Sequence, residues 1–133
     1  MMKNIIILTA LFVTISTYAA YCKHCGKEAT EKQLVNYACP RLKNKMKHEI
    51  FEGRKKNKYY CRICGRDSYS IRSLTSYGCS RNKTGDGKHV VFEGDITKNV
   101  KCRKCGKDKI PFKTLVQYKC PRGGYHEVLR KNY

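Results

Sequence analysis

The feature that most constrains this 133-residue chain is a pattern of cysteines and one histidine that occurs three times. Each copy reads C-x-x-C-G-[KR], then L-x-x-Y-x-C-x-R, then a histidine followed by apolar residues. The copies begin at Tyr21, Tyr60 and Lys101. A short unit that recurs in this way predicts similar small modules arranged in tandem.

Every copy supplies three cysteines and one histidine in the same order, and Cys₃His is an accepted ligand set for tetrahedral structural zinc. The C-x-x-C-G segment suits a tight knuckle, because two thiolates converge on one ion and glycine tolerates the turn that follows. We therefore predict three structural Zn²⁺ ions, bound by Cys22, Cys25, Cys39 and His48, by Cys61, Cys64, Cys79 and His89, and by Cys102, Cys105, Cys120 and His126.

A disulfide framework is the alternative use of these cysteines. Three cysteines cannot pair within one module, and nine cannot all pair within the chain, so disulfides would cross-link modules and leave one thiol over. The recurring histidine would also be unexplained. The pattern thus favours zinc, and we predict that His24, which has no counterpart in the other copies, is a surface residue.

The first 20 residues have the layout of a cleaved signal peptide. Lys3 precedes an apolar run over residues 5–15, and a tail of small residues ends at Ala19 and Ala20. A membrane anchor is the alternative, but the run is shorter than the ~18 to 20 residues that a bilayer needs. We predict a secreted protein with no other membrane segment.

Short helices are predicted between the second and third cysteine of each copy. Thr30 and Gln33 form a capping-box pattern, Ser70 is a helix cap, and Pro111 suits a first helical turn. Leucine and tyrosine three residues apart share one helix face. We therefore expect the leucines to pack over the knuckle and the tyrosines to be core residues, and a brief strand to follow each histidine. The positions are Leu34, Leu74 and Leu115, and Tyr37, Tyr77 and Tyr118.

The predicted fold class is small α+β zinc-stabilised modules, as three tandem Cys₃His zinc-finger repeats after the signal peptide. The predicted boundaries are the signal peptide (1–20), zinc module 1 (21–53), a basic linker (54–59), zinc module 2 (60–94), a second linker (95–100) and zinc module 3 (101–133). The basic linker contains a cluster of the kind that directs nuclear import, although such clusters also arise by chance in so basic a chain. The cluster is Arg54, Lys55, Lys56 and Lys58.

Charge indicates the class of partner. Without Lys3, the 28 Lys and Arg residues exceed the 10 Asp and Glu residues by 18, and such a field attracts polyanions. An arginine recurs two residues after the third cysteine of each copy. It could present its guanidinium to phosphates or guanine edges, or it could balance the charge of the zinc–thiolate cluster. The predicted nucleic-acid-binding set is Arg41, Lys43, Lys45, Lys47, Arg81, Lys83, Lys88 and Arg122.

Three function classes follow from these patterns. An enzyme is disfavoured, because the repeated histidines are committed to closed metal sites and no nucleophile–base pattern stands out. A secreted cationic protein that acts on membranes or cell-wall polyanions fits the charge and the signal, but it would be expected to prefer disulfides. A nucleic-acid-binding protein fits the zinc modules, the charge and the arginines.

A signal peptide followed directly by C-x-x-C-G…L-x-x-Y-x-C…H modules resembles the small secreted zinc-finger effectors of plant-pathogenic fungi, such as the host transcription reprogramming factors of the rice blast fungus. The resemblance covers the signal and all three modules. It implies secretion into a plant, entry into host nuclei through the import machinery, and duplex-DNA binding at promoters of immunity-associated genes. The third ligand is a cysteine (Cys39, Cys79, Cys120), so the helix-in-groove contacts of C₂H₂ fingers are not carried over.

Overall fold

The computed structural model describes residues 19–132, in which one small α+β unit occurs three times. The predicted signal peptide lies almost entirely outside the described residues. In each unit a two-residue antiparallel hairpin is followed by a six-residue helix. The elements are β1 (Ala20–Tyr21), β2 (Glu28–Ala29) and α1 (Glu31–Asn36); β3 (Tyr59–Tyr60), β4 (Asp67–Ser68) and α2 (Ile71–Ser76); and β5 (Asn99–Val100), β6 (Ile110–Pro111) and α3 (Phe112–Gln117). None of these helices is long and apolar enough to cross a membrane.

The helix starts agree with the capping signals in the sequence. At α1, the Thr30 hydroxyl accepts from the Gln33 N–H at 3.3 Å, and the Gln33 side chain accepts from the Thr30 N–H at 3.2 Å. Ser70 caps α2 by accepting from the Ser73 N–H at 3.0 Å. Pro111 differs slightly from its prediction, since it precedes α3 as the N-cap residue and makes no side-chain cap.

The leucines are confirmed as core residues, whereas the prediction for the tyrosines is wrong. Leu34, Leu74 and Leu115 are each 1% exposed, but Tyr37, Tyr77 and Tyr118 are 63%, 62% and 62% exposed. The reason is that every helix ends one residue before its tyrosine, which is extended, with ψ between 146° and 149°. Leucine and tyrosine therefore do not share a helix face.

The strand expected after each histidine is present only as an isolated β-bridge. The bridges join the first cysteine of each unit to the residue two positions after its histidine: Cys22 to Ile50, Cys61 to Val91, and Cys102 to Val128. They bring the histidine back to the knuckle and so close each unit.

Neighbouring units share their apolar cores. Phe51 follows the bridge of the first unit but is buried in the cluster around Leu74, with its ring 5.6 Å from that of Tyr59 in an edge-on arrangement. Phe92 is buried in the third unit's cluster, 4.9 Å from the ring of Phe112. Burying one such ring contributes about 1.5 to 3 kcal/mol, so each connection carries a core residue of the next unit.

The knuckle glycines allow the next helix to come close. A Cβ on Gly26, where φ is +73°, would lie 2.3 Å from the backbone nitrogen of Arg72. A Cβ on Gly65 would lie 2.8 Å from the Val116 side chain. In the third unit a Cβ on Gly106 would meet nothing nearer than 3.9 Å, because no helix of the described residues packs there. Glycine is thus required at two of the three knuckles by packing as well as by φ.

The first unit differs from the other two at the first residue of its helix. The first residue of the helix is Ile71 in α2 and Phe112 in α3, and both are buried. The equivalent residue of α1 is Glu31, which is exposed because no described unit precedes it.

Glu93 joins all three units at one point. Its side chain has 0% exposure, its Oε2 accepts from the Glu52 N–H at 2.7 Å, and its Oε1 lies 3.7 Å from Lys23 Nζ and 3.5 Å from Arg130 Nε. Glu52 in turn lies 2.6 Å from an Arg130 nitrogen. A buried carboxylate is tolerated only when it is paired, so this ion-pair cluster fixes the first and third units against the second.

Candidate metal centres

The structure brings together the twelve cysteines and histidines in the three sets predicted from the sequence. In each set, one ligand atom from every residue lies within 4.8 Å of the other three. The three histidines are 2% to 5% exposed, and two of the three cysteines of each set are buried. These groups could hold metal ions, and the burial of their ligands is typical of structural rather than catalytic sites.

Distances between ligand atoms fit a tetrahedron around one ion. Zinc–sulfur bonds of ~2.3 Å and zinc–nitrogen bonds of ~2.0 Å imply tetrahedral edges of about 3.8 Å for S–S and about 3.5 Å for S–N. The Cys22 and Cys39 sulfurs are 3.9 Å apart. The sulfur-to-Nδ1 distances are 3.4 Å for Cys25 and His48, 3.4 Å for Cys64 and His89, and 3.5 Å for Cys105 and His126.

The same distances exclude disulfides in the described structure. A disulfide holds its sulfurs at ~2.05 Å, and all nine cysteines of the structure are free thiols. The sulfurs instead receive backbone N–H groups from knuckle residues, with His24 donating to Cys22 at 3.4 Å and Arg66 to Cys64 at 3.5 Å. Such donors stabilise thiolates, which is the form that binds metal.

The pKa values of the clustered cysteines and of His48 favour the binding of a cation. The hydrogen bond with Cys64 lowers the pKa of Cys61 to about 4, whereas burial raises the pKa of Cys39 to about 12. Crowded thiols that must ionise against one another need a positive ion before all can be thiolates. Burial, followed by the charge of Lys27, also lowers the pKa of His48 and so favours the neutral, metal-binding imidazole.

His24 lies outside the metal cluster, as expected for a surface residue. Its Nε2 lies 3.0 Å from the Glu49 carboxylate, which also pairs with Lys23 at 3.0 Å.

Two of the three recurrent arginines contact the next unit. Arg41 donates from Nη2 to the Ser76 hydroxyl at 3.0 Å, at the end of α2. Arg81 donates from Nη1 to the Val116 carbonyl at 2.6 Å, near the end of α3, and its guanidinium lies 3.6 Å from the centre of the Tyr125 ring. Cations are stabilised at helix C-termini. Each arginine thus fastens one unit to the following helix, a role that neither sequence interpretation included.

The side chain of Arg122 contacts no other unit of the described structure, and it is exposed without a partner among residues 19–132. The lysines of the first loop are likewise exposed and unpaired within the described part of the chain. Lys83 is exposed as well, whereas the Lys88 ammonium donates to the Ser76 carbonyl at 3.2 Å. Their contacts with nucleic acid stay a prediction. The exposed loop lysines are Lys43, Lys45 and Lys47.

The basic linker is partly engaged with the second unit. Lys56 donates to the Gly94 carbonyl, and Lys58 lies 3.6 Å from Asp67. Arg54 and Lys55 are exposed.

Sequence reasoning missed a group of cations that line clefts between the units. A cleft of about 530 Å³ separates the second and third units, and clefts of about 290 Å³ adjoin it on the side of the first unit. Lys23, Arg62 and Arg103 line these clefts, and each follows the first cysteine of its copy. A cation at this position of every copy is visible in the sequence, as is the arginine two residues after each third cysteine. Burial, followed by the charge of Arg103, lowers the pKa of Arg62.

Replacing two of these arginines should show whether the contact with the next unit stabilises the protein. Arg81→Ala should lower the free energy of unfolding by about 1 to 3 kcal/mol, because a charged hydrogen bond and a ring contact are lost. Arg122 occupies the same position of the repeat but is exposed. Arg122→Ala removes the same charge and should change the free energy of unfolding by less than about 0.5 kcal/mol. Chemical denaturation of the metal-loaded protein measures both. Equal destabilisation by the two variants would contradict the joining role.

Comparisons of the chain with protein-family models, with curated proteins and with solved structures found no match. The resemblance to secreted effectors therefore stays a prediction from the repeated motif.

Proposed function

We propose that zinc occupies the three sites and that the resulting scaffold is a nucleic-acid-binding protein with duplex DNA as its partner. The observation that carries this proposal is the segregation of charge on a metal-organised array. The first loop, residues 41–47, bears exposed lysines and no acid. Glu52 and Glu93 are instead paired at the junctions between units. Glu49 and Glu127 each pair with a cation of their own unit.

Zinc is favoured over other metals by the donor set. Three thiolates and one imidazole are soft or borderline ligands, and a closed tetrahedron of this type selects zinc among the metals available to folded proteins. Calcium and magnesium require oxygen ligands, and the four residues of each cluster offer none.

The distribution of acids supports a polyanionic partner. Glu49 pairs with Lys23, Glu93 is buried among three units, and Glu127 accepts from Arg103. The first loop, residues 41–47, contains no acid at all, and its lysines point to no carboxylate within the described structure. Such a surface attracts phosphate and releases the counterions of the nucleic acid.

The exposed tyrosines add a second argument for nucleic acid. One tyrosine ring stands in solvent at the same place in each unit, although packing does not require it there. Exposed aromatic rings beside cations are a recurring feature of nucleic-acid-binding surfaces, where a ring can stack on an unpaired base and the cations contact phosphates. The positions are Tyr37, Tyr77 and Tyr118.

We further propose that the protein is exported and acts in the nucleus of a host plant cell, where it alters transcription of immunity-associated genes. The signal-peptide pattern, the resemblance to secreted zinc-finger effectors and the basic cluster at residues 54–58 support this. Zinc would keep the thiolates bound in the reducing interior of the host, where disulfides do not persist.

Zinc content is the first test. Native mass spectrometry of the refolded mature chain should find three zinc ions, and Cys64→Ser should retain two because one cluster loses a ligand. A chelator should abolish the fold, since metal binding and folding are coupled in such small modules. A chain with no zinc and four disulfides would contradict this prediction.

Selective DNA binding is the second test. Non-specific binding at low salt follows from charge alone, so binding-site selection from a random duplex pool should be done at ~150 mM salt. The wild type should enrich a defined sequence, and Cys61→Ser should not, because its scaffold is broken. An unenriched pool, or equal enrichment by the variant, would favour a secreted cationic protein that acts on membranes or cell-wall polyanions.

Arg122 is the recurrent arginine best suited to a contact test, because its replacement should leave the fold intact. If it reads a base edge, Arg122→Ala should cost roughly 1 to 3 kcal/mol and relax selectivity at one base. If it contacts phosphate, all sequences should weaken alike and the salt slope should fall by about one unit.

Nuclear entry is the third test. A fluorescent fusion of the mature chain in plant cells should concentrate in the nucleus, and alanine at Arg54, Lys55, Lys56 and Lys58 should reduce this. Alanine at Lys43, Lys45 and Lys47 is the control, since it removes charge elsewhere. If the two variants behave alike, residues 54–58 are not an import signal.

A further inference from the structure

In each unit, the residue after the first cysteine makes a backbone hydrogen bond with the residue after the histidine. The Lys23 N–H donates to the Glu49 carbonyl at 2.9 Å, and the Arg103 N–H donates to the Glu127 carbonyl at 2.7 Å. The side chains of these residues also pair, with 3.0 Å between Lys23 Nζ and Glu49, and 2.9 Å between Arg103 Nε and Glu127. The first and third units therefore neutralise this cation internally.

The second unit has the same backbone bond but lacks the acid. The Arg62 N–H donates to the Val90 carbonyl at 2.9 Å, and valine stands where the other units have glutamate. The Arg62 guanidinium has one long bond, from Nη1 to the Val128 carbonyl at 3.4 Å. Its Nε and Nη2 donate to no acceptor among residues 19–132. A guanidinium has five N–H donors, so most of these remain available.

Arg62 lies in the cleft of about 530 Å³ between the second and third units, which we name the Arg62 cleft. Its size is within the range of ligand pockets. Ile63 and Val90 provide apolar surface, and the only acid in its wall is Glu127. The other cations of its wall are Arg81, Lys83, Arg103 and Lys104.

A second cleft continues from Arg62 toward the first unit. Its cations are Lys23, Arg62, Arg103 and Arg130, and the buried Glu93 lies among them. Lys23, Arg103 and Arg130 are already paired with carboxylates. Arg62 lines both clefts and has no carboxylate partner among residues 19–132, so it is the cation that remains available there.

We propose that the Arg62 cleft binds phosphate groups, with the free N–H groups of Arg62 donating to phosphate oxygens. Lys83 and Lys104 add positive charge at the same cleft. Phosphate suits this arrangement because it offers several acceptor oxygens to a planar guanidinium fork and to point charges around it. This inference rests on the proposed nucleic-acid binding for its natural source, a backbone phosphate, although a free phosphate compound shares the chemistry.

The direct test is a titration of the zinc-loaded mature chain with inorganic phosphate at constant ionic strength. The Arg62 Nε–H signal is followed by NMR and should shift on binding. Arg62→Gln should weaken phosphate binding about tenfold or more, because charge-assisted hydrogen bonds are lost. Arg66→Gln is the matched control, since it removes an exposed arginine of the same unit outside the cleft, and it should stay within about twofold of wild type.

Val90→Glu provides a second variant with an independent rationale. It recreates the pair that the first and third units contain, so it should fold, retain three metal ions and neutralise Arg62 internally. Phosphate binding should fall about tenfold. Tyr69→Glu adds the same charge at an exposed residue outside the cleft and should have little effect. If wild type shows no Arg62 shift, or if Val90→Glu binds phosphate as well as Tyr69→Glu does, the proposal is overturned.

A duplex-DNA titration at ~150 mM salt distinguishes this inference from the proposed function. Weaker binding of both phosphate and duplex by Arg62→Gln supports backbone phosphate as the ligand. Arg62-dependent phosphate binding without duplex binding supports the cleft, identifies a free phosphate compound as its source and overturns the proposed function. If the protein binds duplex DNA but Arg62→Gln binds phosphate as well as wild type does, the proposed phosphate site in the Arg62 cleft is wrong and the proposed function still stands.

Discussion

The convergence of three sulfur atoms and one imidazole nitrogen in each unit is the constraint on which the rest of this structure depends. The helices have six residues each, and isolated helices of that length are not stable in water. The first unit's apolar cluster contains only Cys22, Leu34 and Cys39 as fully buried members. A metal ion bound by the three cysteines and the histidine would supply the order that so small a core cannot.

The three units pack against one another and share core residues. Phe51 and Phe92 each leave one unit and complete the core of the next, and Gly26 and Gly65 leave room for the next helix. Because the second unit receives one ring and provides another, it takes part in both interfaces. The clefts between units are therefore lined by residues of units that pack directly against each other.

A cation that recurs at the same position in every unit does not have the same role in every unit. The arginine after the third cysteine occurs three times. Arg41 and Arg81 bond to the adjacent unit, whereas the Arg122 side chain contacts no other unit among residues 19–132. The cation after the first cysteine also occurs three times, and only Arg62 lacks a carboxylate partner. The departure from the repeat, valine at position 90, is therefore the more informative signal for binding.

Residue type and short-range spacing are sufficient to predict the local chemistry of this protein. The twelve clustered ligands, the caps at Thr30 and Ser70 and the buried leucines all follow from them, because a knuckle or a helix start is set by neighbours a few positions away. The exposure of the tyrosines was not predictable in this way, since each helix ends one residue earlier than the pattern indicated. Only the tertiary structure decided the roles of Arg81, Glu93 and Arg62, whose partners belong to other units. Those roles depend on how units pack against one another, and no local pattern encodes that geometry.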